Sequence, residues 1–306
     1  MNMITSLSDY HPDTPLVLSI GMFDGVHLGH QSIIKTLNTI AQSHHFKSGI
    51  LSFWPHPRLV FNPEYSLKLL NTIEEKTELL DGFGLEVLCL QDFNESFRTL
   101  SAEDFVKKVL VEQLNVKHLI IGYDHRFGKN QAGDFSLLQK MAPQLGFTVQ
   151  QLEAIALENQ NISSTKIREA LKQGKINDAN AMLGYPYMLR GKVIHGKKIG
   201  RTIGYPTANL EIDPQKLLPK NGAYIVEVYI DGQFYKGMMS IGTNPTVEGK
   251  SLSTEVYILN FDEDIYGKEI QVEFRDFLHE EIKFDGLEAL IEKLDEDKLL
   301  TEQFEF

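Results

Sequence analysis

A single cysteine in 306 residues removes internal disulfide chemistry at the outset. Cys89 sits in the apolar run Val87-Leu88-Cys89-Leu90, where a thiol on a buried strand acts as a small hydrophobe, not a nucleophile. Long apolar runs are missing as well. None approaches the roughly 20 residues that cross a bilayer, and the opening MNMITSLSDYHPDTP lacks the basic start and apolar stretch of a secretory signal. The expectation is a cytoplasmic protein with no membrane partner. Positive charge is scarce too: 30 Lys and Arg stand against 42 Asp and Glu, a net charge of -12. That balance repels nucleic-acid backbones and anionic membranes, so no nucleic-acid partner is expected. Anionic small substrates would need cations concentrated locally, which makes the places where cations do concentrate informative.

What is present suits two globular domains at ~100–200 residues each, and a 42% hydrophobic content lets each build a core. In the first half, apolar runs at Leu16–Ile20, Gly49–Phe53, Glu86–Leu90 and Lys117–Ile121 read as strands. Between them, helical spacing predicts helices over 31–41, 74–83, 102–114 and 133–145, and a short helix over 164–173 follows. Alternation of this kind implies a parallel sheet covered on both faces, with ligands outside the carboxyl ends of the strands, after Ile20, Phe53 and Ile121. Past Leu183 the texture changes to short strand-like runs separated by turns such as Asp231-Gly232, the pattern of an antiparallel sandwich or barrel. An amphipathic acidic helix over 287–300 closes the chain. Internal repeats and long linkers are absent, so the boundary is read as a change of architecture, dividing 1–182 from 183–306.

The first constellation is the loop SIGMFDGVHLGH, Ser19 to His30. Gly21, Gly25 and Gly29 allow a sharp turn and close backbone approach to a ligand, and the helix start that follows offers free amides to an anion. His27 and His30, three apart, share a face of that helix. There they can donate hydrogen bonds to a phosphorus centre gaining negative charge. A zinc pair or a buried structural pair are the alternatives, although no further ligand completes a metal set nearby. The chain contains neither GxxxxGK[ST] nor GxGxxG, which excludes a Walker loop and a dinucleotide fingerprint. Near the end of the same half stands Ile162-Ser163-Ser164-Thr165-Lys166-Ile167-Arg168. Hydroxyls at a helix start are ordinarily caps; Lys166 and Arg168 add charge suited to a triphosphate.

The second constellation runs from Gly196 to Asn209 as GKKIGRTIGYPTAN. Glycines spaced by four among several cations make a loop able to fold over phosphates, and Thr207 and Asn209 present side-chain oxygens on one face of an extended segment. Such oxygens suit magnesium; an ordinary basic hairpin loop is the alternative. Glu255 opens the strand Glu255-Val256-Tyr257-Ile258-Leu259, either as a solvated edge carboxylate or as a base at a barrel mouth.

HxGH after the first strand, with ISSTxIR later, resembles the adenylyltransferase module of bacterial bifunctional riboflavin kinase/FAD synthetases. Phe53-Trp54-Pro55-His56-Pro57, Thr72-Ile73-Glu74-Glu75-Lys76 and Gly122-Tyr123-Asp124-His125-Arg126-Phe127-Gly128 fit the same family. PTAN behind a basic glycine loop, Asn221-Gly222-Ala223-Tyr224, Ile241-Gly242-Thr243-Asn244-Pro245-Thr246 and Glu255 resemble its riboflavin kinase half. The resemblance covers nearly the whole chain. His125 departs from a usual phenylalanine, Met22 and Ser240 from asparagine, and Asn260 from aspartate.

The likeness implies a Rossmann-like nucleotidyltransferase domain with a parallel sheet, then an antiparallel β-barrel with a terminal helix. It implies ATP contacts at Gly21, Phe23, Asp24, Gly25, His27, His30, Ser164, Thr165 and Arg168, with His27 and His30 catalytic. Flavin contacts would lie at Phe53, Pro55, His56, Pro57 and Asp124. In the kinase half, Gly196, Lys198, Gly200, Thr202, Gly204, Pro206, Thr207 and Asn209 would bind ATP. Thr207 and Asn209 would also hold Mg2+, and Glu255 would be the base. The implied substrates are riboflavin, FMN and ATP; self-association is left open. Two rivals remain: another phosphorylated acceptor, as in pantetheine-phosphate adenylyltransferases, and a barrel that senses flavin without catalysis.

Overall fold

The computed structural model describes residues 1–7, 10, 12–61, 67–123, 125–153, 156–157, 160–196, 199–246 and 249–305. Asp124 and Lys198 lie outside the described residues. The chain divides into two compact units, Met1–Ser163 and Ser164–Phe306.

The first unit is built on six parallel strands in the order β1-β4-β3-β2-β5-β6. These are β1 Asn2–Ile4, β2 Leu16–Ile20, β3 Lys47–Trp54, β4 Val87–Asp92, β5 Val116–Gly122 and β6 Thr148–Leu152. The helices are α1 Leu28–His44, α2 Pro57–Phe61, α3 Ile73–Gly82, α4 Glu95–Arg98, α5 Ala102–Asp104 and α6 Phe135–Leu145. A parallel sheet is buried on both faces, so its strands are apolar throughout. In β2 the two-residue period sends Leu16, Leu18 and Ile20 into one core layer with Cys89, Phe105 and Val106. Val17 enters the opposite layer with Ile34 and Leu37 of α1 and Leu80 of α3. Each such aliphatic side chain contributes roughly 1.5–3 kcal/mol when fully buried. Cys89 is fully buried, and burial pushes its thiol up to about 12, as a structural residue requires. The helix expected over 102–114 departs from regularity. After α5 it continues as a π-helical run, Phe105–Gln113, with Phe105, Val106, Val109 and Leu110 buried.

The second unit opens with α7 Ser164–Lys172 and α8 Ile176–Leu183, followed by a closed antiparallel barrel ordered β10-β13-β12-β11-β14-β9. (A two-residue hairpin of the first unit, Ala156–Leu157 with Gln160–Asn161, supplies β7 and β8.) The barrel strands are β9 Met188–Ile194, β10 Thr207–Ile212, β11 Gly222–Ile230, β12 Gln233–Thr246, β13 Gly249–Ile258 and β14 Glu269–His279. Alternate residues fill the interior, among them Tyr224, Val226 and Val228 of β11 and Val272 and Phe274 of β14. The units part between Ser163 and Ser164 because α8 is tied to the barrel. Asn180 Nδ2 donates to the Phe274 carbonyl at 2.9 Å, and Asn180 Oδ1 accepts from the Tyr187 amide at 2.7 Å. A one-turn helix, α9 Ile199–Thr202, precedes β10, and helix α10, Leu287–Gln303, lies on the outside. It is held by His279 Nε2 with Asp297 Oδ2 at 2.7 Å and by Lys236 Nζ donating to the Phe304 carbonyl at 2.7 Å.

Candidate active sites

Between β2 and α1 the backbone enters the left-handed region at Phe23, Gly25 and Val26, with φ of 51°, 86° and 32°. Glycine takes that conformation freely. For Phe23 and Val26 it costs on the order of 1–3 kcal/mol each, a strain that persists only where the surroundings enforce it and that clusters at functional sites. The enforcement is visible. Asp24 Oδ1 accepts from the Leu70 and Asn71 amides at 3.0 and 3.2 Å, Gln31 Nε2 donates to the Val26 carbonyl at 2.9 Å, and Ser52 Oγ donates to the Met22 carbonyl at 3.3 Å.

His27 is the N-cap of α1, its Nδ1 accepting from the His30 amide at 3.4 Å. That acceptor role leaves the neutral ring's proton on Nε2, free to donate. The His27 and His30 rings stack at 3.7 Å between centroids, 15° from parallel, and Phe23 backs His30 at 4.7 Å. A Cβ on Gly29 would stand 3.1 Å from the His27 ring, so the glycine leaves room for that packing. Burial lowers His27 to about 4 and holds His30 well below the usual imidazole range, with His27 and Lys76 adding to the effect. Both rings are neutral donors at neutral pH. Among the described residues no group of three His, Cys, Asp or Glu side chains could hold a metal ion.

A stability consequence follows from the sign of the shift. The folded His27 value lies below the ordinary 6.5, so between the two the unfolded chain binds more protons and stability falls as pH drops from about 6.5 to about 4. The loss from this residue is about 3 kcal/mol at the low end. Urea unfolding of the protein at pH 7 and pH 4 should show it, and His27→Asn should reduce the difference, the buried His30 supplying part of what remains. An equally steep fall in the variant would mean other groups are responsible.

Around the same ends of the strands lies a cavity of about 670 Å³. Ile20, Phe53, Pro57, Phe93, Phe97, Phe105 and Phe127 line it, with Arg98, His125 and Arg126 at its polar margin. The aromatic wall is continuous: Phe53–Phe93, Phe53–Phe97 and Phe105–Phe127 centroids are 5.6 Å apart, Phe97–Phe105 5.8 Å. Of the residues singled out for flavin contact, Phe53 and Pro57 reach this cavity. Pro55 is exposed, and His56 is buried beside it with Nδ1 accepting from the Arg58 amide at 3.1 Å. Phe93, Phe97, Phe105 and Phe127 were not singled out. The i, i+4 pair Phe93 and Phe97 in an otherwise polar stretch, QDFNESFRT, is the signal that could have found two of them.

In the second unit Ser164, Thr165 and Arg168 lie along the start of α7, with Thr165 exposed and Arg168 half-exposed. In the barrel, β10 pairs with β13 so that Asn209 opposes Glu255 and Thr207 opposes Tyr257. Thr207 Oγ1 donates to Glu255 Oε2 at 3.0 Å. The glycine loop fits tightly against this pair. A Cβ on Gly196 would meet the Asn209 amide at 2.3 Å, and one on Gly200 would meet the Tyr205 carbonyl oxygen at 2.1 Å, so neither position accepts a side chain without rearrangement. Gly204, at φ 85°, completes the turn, and Tyr205 donates its amide to the Gly200 carbonyl at 2.8 Å. Thr202 and Pro206 are exposed beside it. The Tyr205 hydroxyl donates to Asp295 of α10, tying the end of the loop to the terminal helix. A cavity of about 310 Å³ opens next to Thr207, lined by Arg201, Pro206, Ala208 and Tyr266 with Asp262 to Asp264. Asn260, at φ 56°, turns the chain out of β13, a conformation that asparagine adopts more readily than most residues.

An α/β sheet opening on a histidine turn, followed by a barrel with a Thr–Asn–Glu cluster under a glycine loop, defines a nucleotidyltransferase fused to a small-molecule kinase. The family model described as FAD synthetase matches residues 10–166, and that described as riboflavin kinase matches residues 183–304. The chain is 40% identical over 299 residues to the bifunctional riboflavin kinase/FMN adenylyltransferase of Listeria monocytogenes, covering 97% of this chain and 95% of that protein. The Escherichia coli K12 protein of the same name is 36% identical over 295 residues, covering 96% and 94%. A crystal structure described as a macrolide-efflux protein from Streptococcus pneumoniae matches over 99% of both chains with a TM-score of 0.91 at 31% identity. Among the described residues of this chain, no helix is long and apolar enough to cross a membrane. The chain belongs to the bifunctional riboflavin kinase/FMN adenylyltransferase family.

Proposed function

We propose that this protein makes FAD from riboflavin in two ATP-dependent steps, residues 183–306 forming FMN and residues 1–182 converting it to FAD. The observation that carries this reading is the pairing of Thr207 and Glu255 across β10 and β13, on the same chain as the stacked, neutral His27 and His30.

In the kinase step the terminal ribityl hydroxyl attacks the γ-phosphorus, Glu255 takes its proton, and ADP leaves. Gly196, Gly200, Thr202, Gly204 and Pro206 set the loop that covers the nucleotide, with Lys198 as its cation. Thr207 and Asn209 would hold Mg2+. Their hydroxyl and amide oxygens beside the Glu255 carboxylate are the hard donors that ion takes, and when bound it would offset phosphate charge.

In the second step an FMN phosphate oxygen attacks the α-phosphorus of ATP and pyrophosphate leaves, with no covalent enzyme intermediate. His27 and His30 donate hydrogen bonds to the oxygens gaining charge. Gly21, Phe23, Asp24 and Gly25 shape the turn, and Ser164, Thr165 and Arg168 take the outer phosphates. The phenylalanine-walled cavity suits a broad planar ring better than a thin pantetheine chain, which favours flavin as the acceptor. The family resemblance assigns Pro55, His56 and Asp124 to flavin contact as well. The small substrates are riboflavin, FMN and ATP, and the location is the cytoplasm.

The test is to incubate the purified protein with riboflavin, ATP and magnesium and resolve the flavins over time. FMN first and FAD after it is the expected course. FMN alone would return the first unit to an unidentified acceptor, and no conversion would leave a flavin sensor.

A further inference from the structure

The segment Thr72-Ile73-Glu74-Glu75-Lys76 has no role in the chemistry above, yet it forms a helix start that is capped from both sides. Thr72 Oγ1 accepts from the Glu75 amide at 3.2 Å, and Glu75 Oε2 accepts from the Thr72 amide at 3.0 Å, a complete capping box. The box fixes where the next residue points. Lys76 is only 4% exposed, and it sits in the first turn of α3, where the helix dipole disfavours a cation. A buried lysine at the wrong end of a helix breaks two local rules at once, as residues kept for function do.

Its surroundings give the reason. Lys76 Nζ donates to Ser52 Oγ at 3.1 Å and to the Met22 carbonyl at 3.4 Å, and Ser52 Oγ donates to that same carbonyl. Met22 opens the strained stretch whose left-handed residues are Phe23, Gly25 and Val26. The titratable groups coupled to this ammonium come from two elements: Asp24 from the turn, which favours its charge, and His30 from α1, whose protonation the ammonium opposes; Glu75, the next residue on α3, is held in the capping box, and His27 stacks on His30. His27 and His30 carry no charge at neutral pH. The fixed positive charge beneath the turn is therefore the ammonium of Lys76, added to the partial charge of the α1 start.

We infer that Lys76 is a positioning residue of the adenylyltransferase turn, pinning the Met22 carbonyl and setting the buried positive charge against which the ATP phosphates and the two neutral imidazoles are aligned. This rests on the assignment of the His27 and His30 turn to adenylyl transfer.

Burial lowers Lys76 to about 8, with Asp24 opposing the shift. Its charge is lost as pH rises past that value, so kcat/KM for FMN adenylylation, which reports the free enzyme, falls on the alkaline side near pH 8. The experiment measures FMN-to-FAD and riboflavin-to-FMN turnover of the full chain between pH 6.5 and 9.5, for the natural protein, Lys76→Met, Lys76→Arg and His30→Ala. Lys76→Met should lower FAD formation at neutral pH at least tenfold, abolish the alkaline limb and leave FMN formation unchanged. Lys76→Arg, which stays charged, should recover much of that rate and move the limb above pH 9. A natural enzyme with no alkaline limb specific to FAD formation overturns the inference whether or not the variants fold, as does a Lys76→Met enzyme with the natural rate and profile. Unchanged FAD formation in His30→Ala is a different failure, since it removes the assignment of the turn itself.

Discussion

Glu255→Gln should lower FMN formation from riboflavin by roughly two to four orders of magnitude, the usual worth of a positioned general base, while added FMN is converted to FAD at the natural rate. The substitution isolates proton acceptance. Glutamine keeps the side-chain length and an oxygen able to accept the Thr207 hydroxyl, now donated to Glu255 Oε2 at 3.0 Å, so the β10–β13 register and the donor set stay in place. What is lost is a group that can take the ribityl proton as the hydroxyl attacks. Phosphoryl transfer passes through a loose transition state in which positioning does most of the work, so the outcome discriminates. A variant within a few-fold of the natural kcat would mean that Glu255 orients Thr207 and that the proton leaves by another route. A large fall in kcat with an unchanged KM for riboflavin supports the base; a fall in both half-reactions would instead indicate a misfolded chain.

The architecture was legible wherever burial imposes a pattern. The run Leu16–Ile20 is buried along its whole length, so its apolar continuity announced a central parallel strand, and its boundaries agree with the reading. The elements without a clear signal are short or lie at an edge, among them α2 and α4 beside the phenylalanine cavity. Strand β6, TVQQL, is an edge strand with Thr148, Gln150 and Gln151 exposed, and β1 is three residues of mostly exposed chain; neither needs an apolar run. Helix α8 has eight residues and no side-chain cap at its start, too little periodic signal to separate it from the loop around it.

For the sites, adjacency in sequence was readable and adjacency in space was not. The glycine and histidine turn is one continuous segment, and its spacing alone brought the two imidazoles to one helix start. The phenylalanine cavity is assembled from loops after β3, β4 and β5 and the π-helical run, so no single window contains it. Thr207 and Glu255 are brought together only by the closure of the barrel. Lys76 was visible as part of a motif, but its burial depends on Ser52 and Met22, from separate elements, converging on one ammonium.

The turn itself is the subject of the other large expectation. His30→Ala should reduce FAD formation by on the order of 10²–10³ in kcat, the cost of removing one preorganised donor from a site where negative charge develops, with riboflavin phosphorylation unaffected. The loss should appear in kcat more than in KM for ATP, because a neutral imidazole adds little to ground-state attraction for a polyanion and most to the oxygens that gain charge as FMN attacks. His27→Ala should behave alike, and the double variant should be scarcely worse than either single one, since residues acting as a unit are not additive. The stacked rings at 3.7 Å make that coupling physical: each imidazole holds the other's plane, so removing one leaves the survivor free to rotate away from its donor position. His30→Asn, which retains an N–H donor without the ring, separates the two contributions. Partial recovery would assign the larger share to the hydrogen bond; activity no better than alanine would assign it to the stack. Additive losses in the double variant would mean that the two histidines serve different steps.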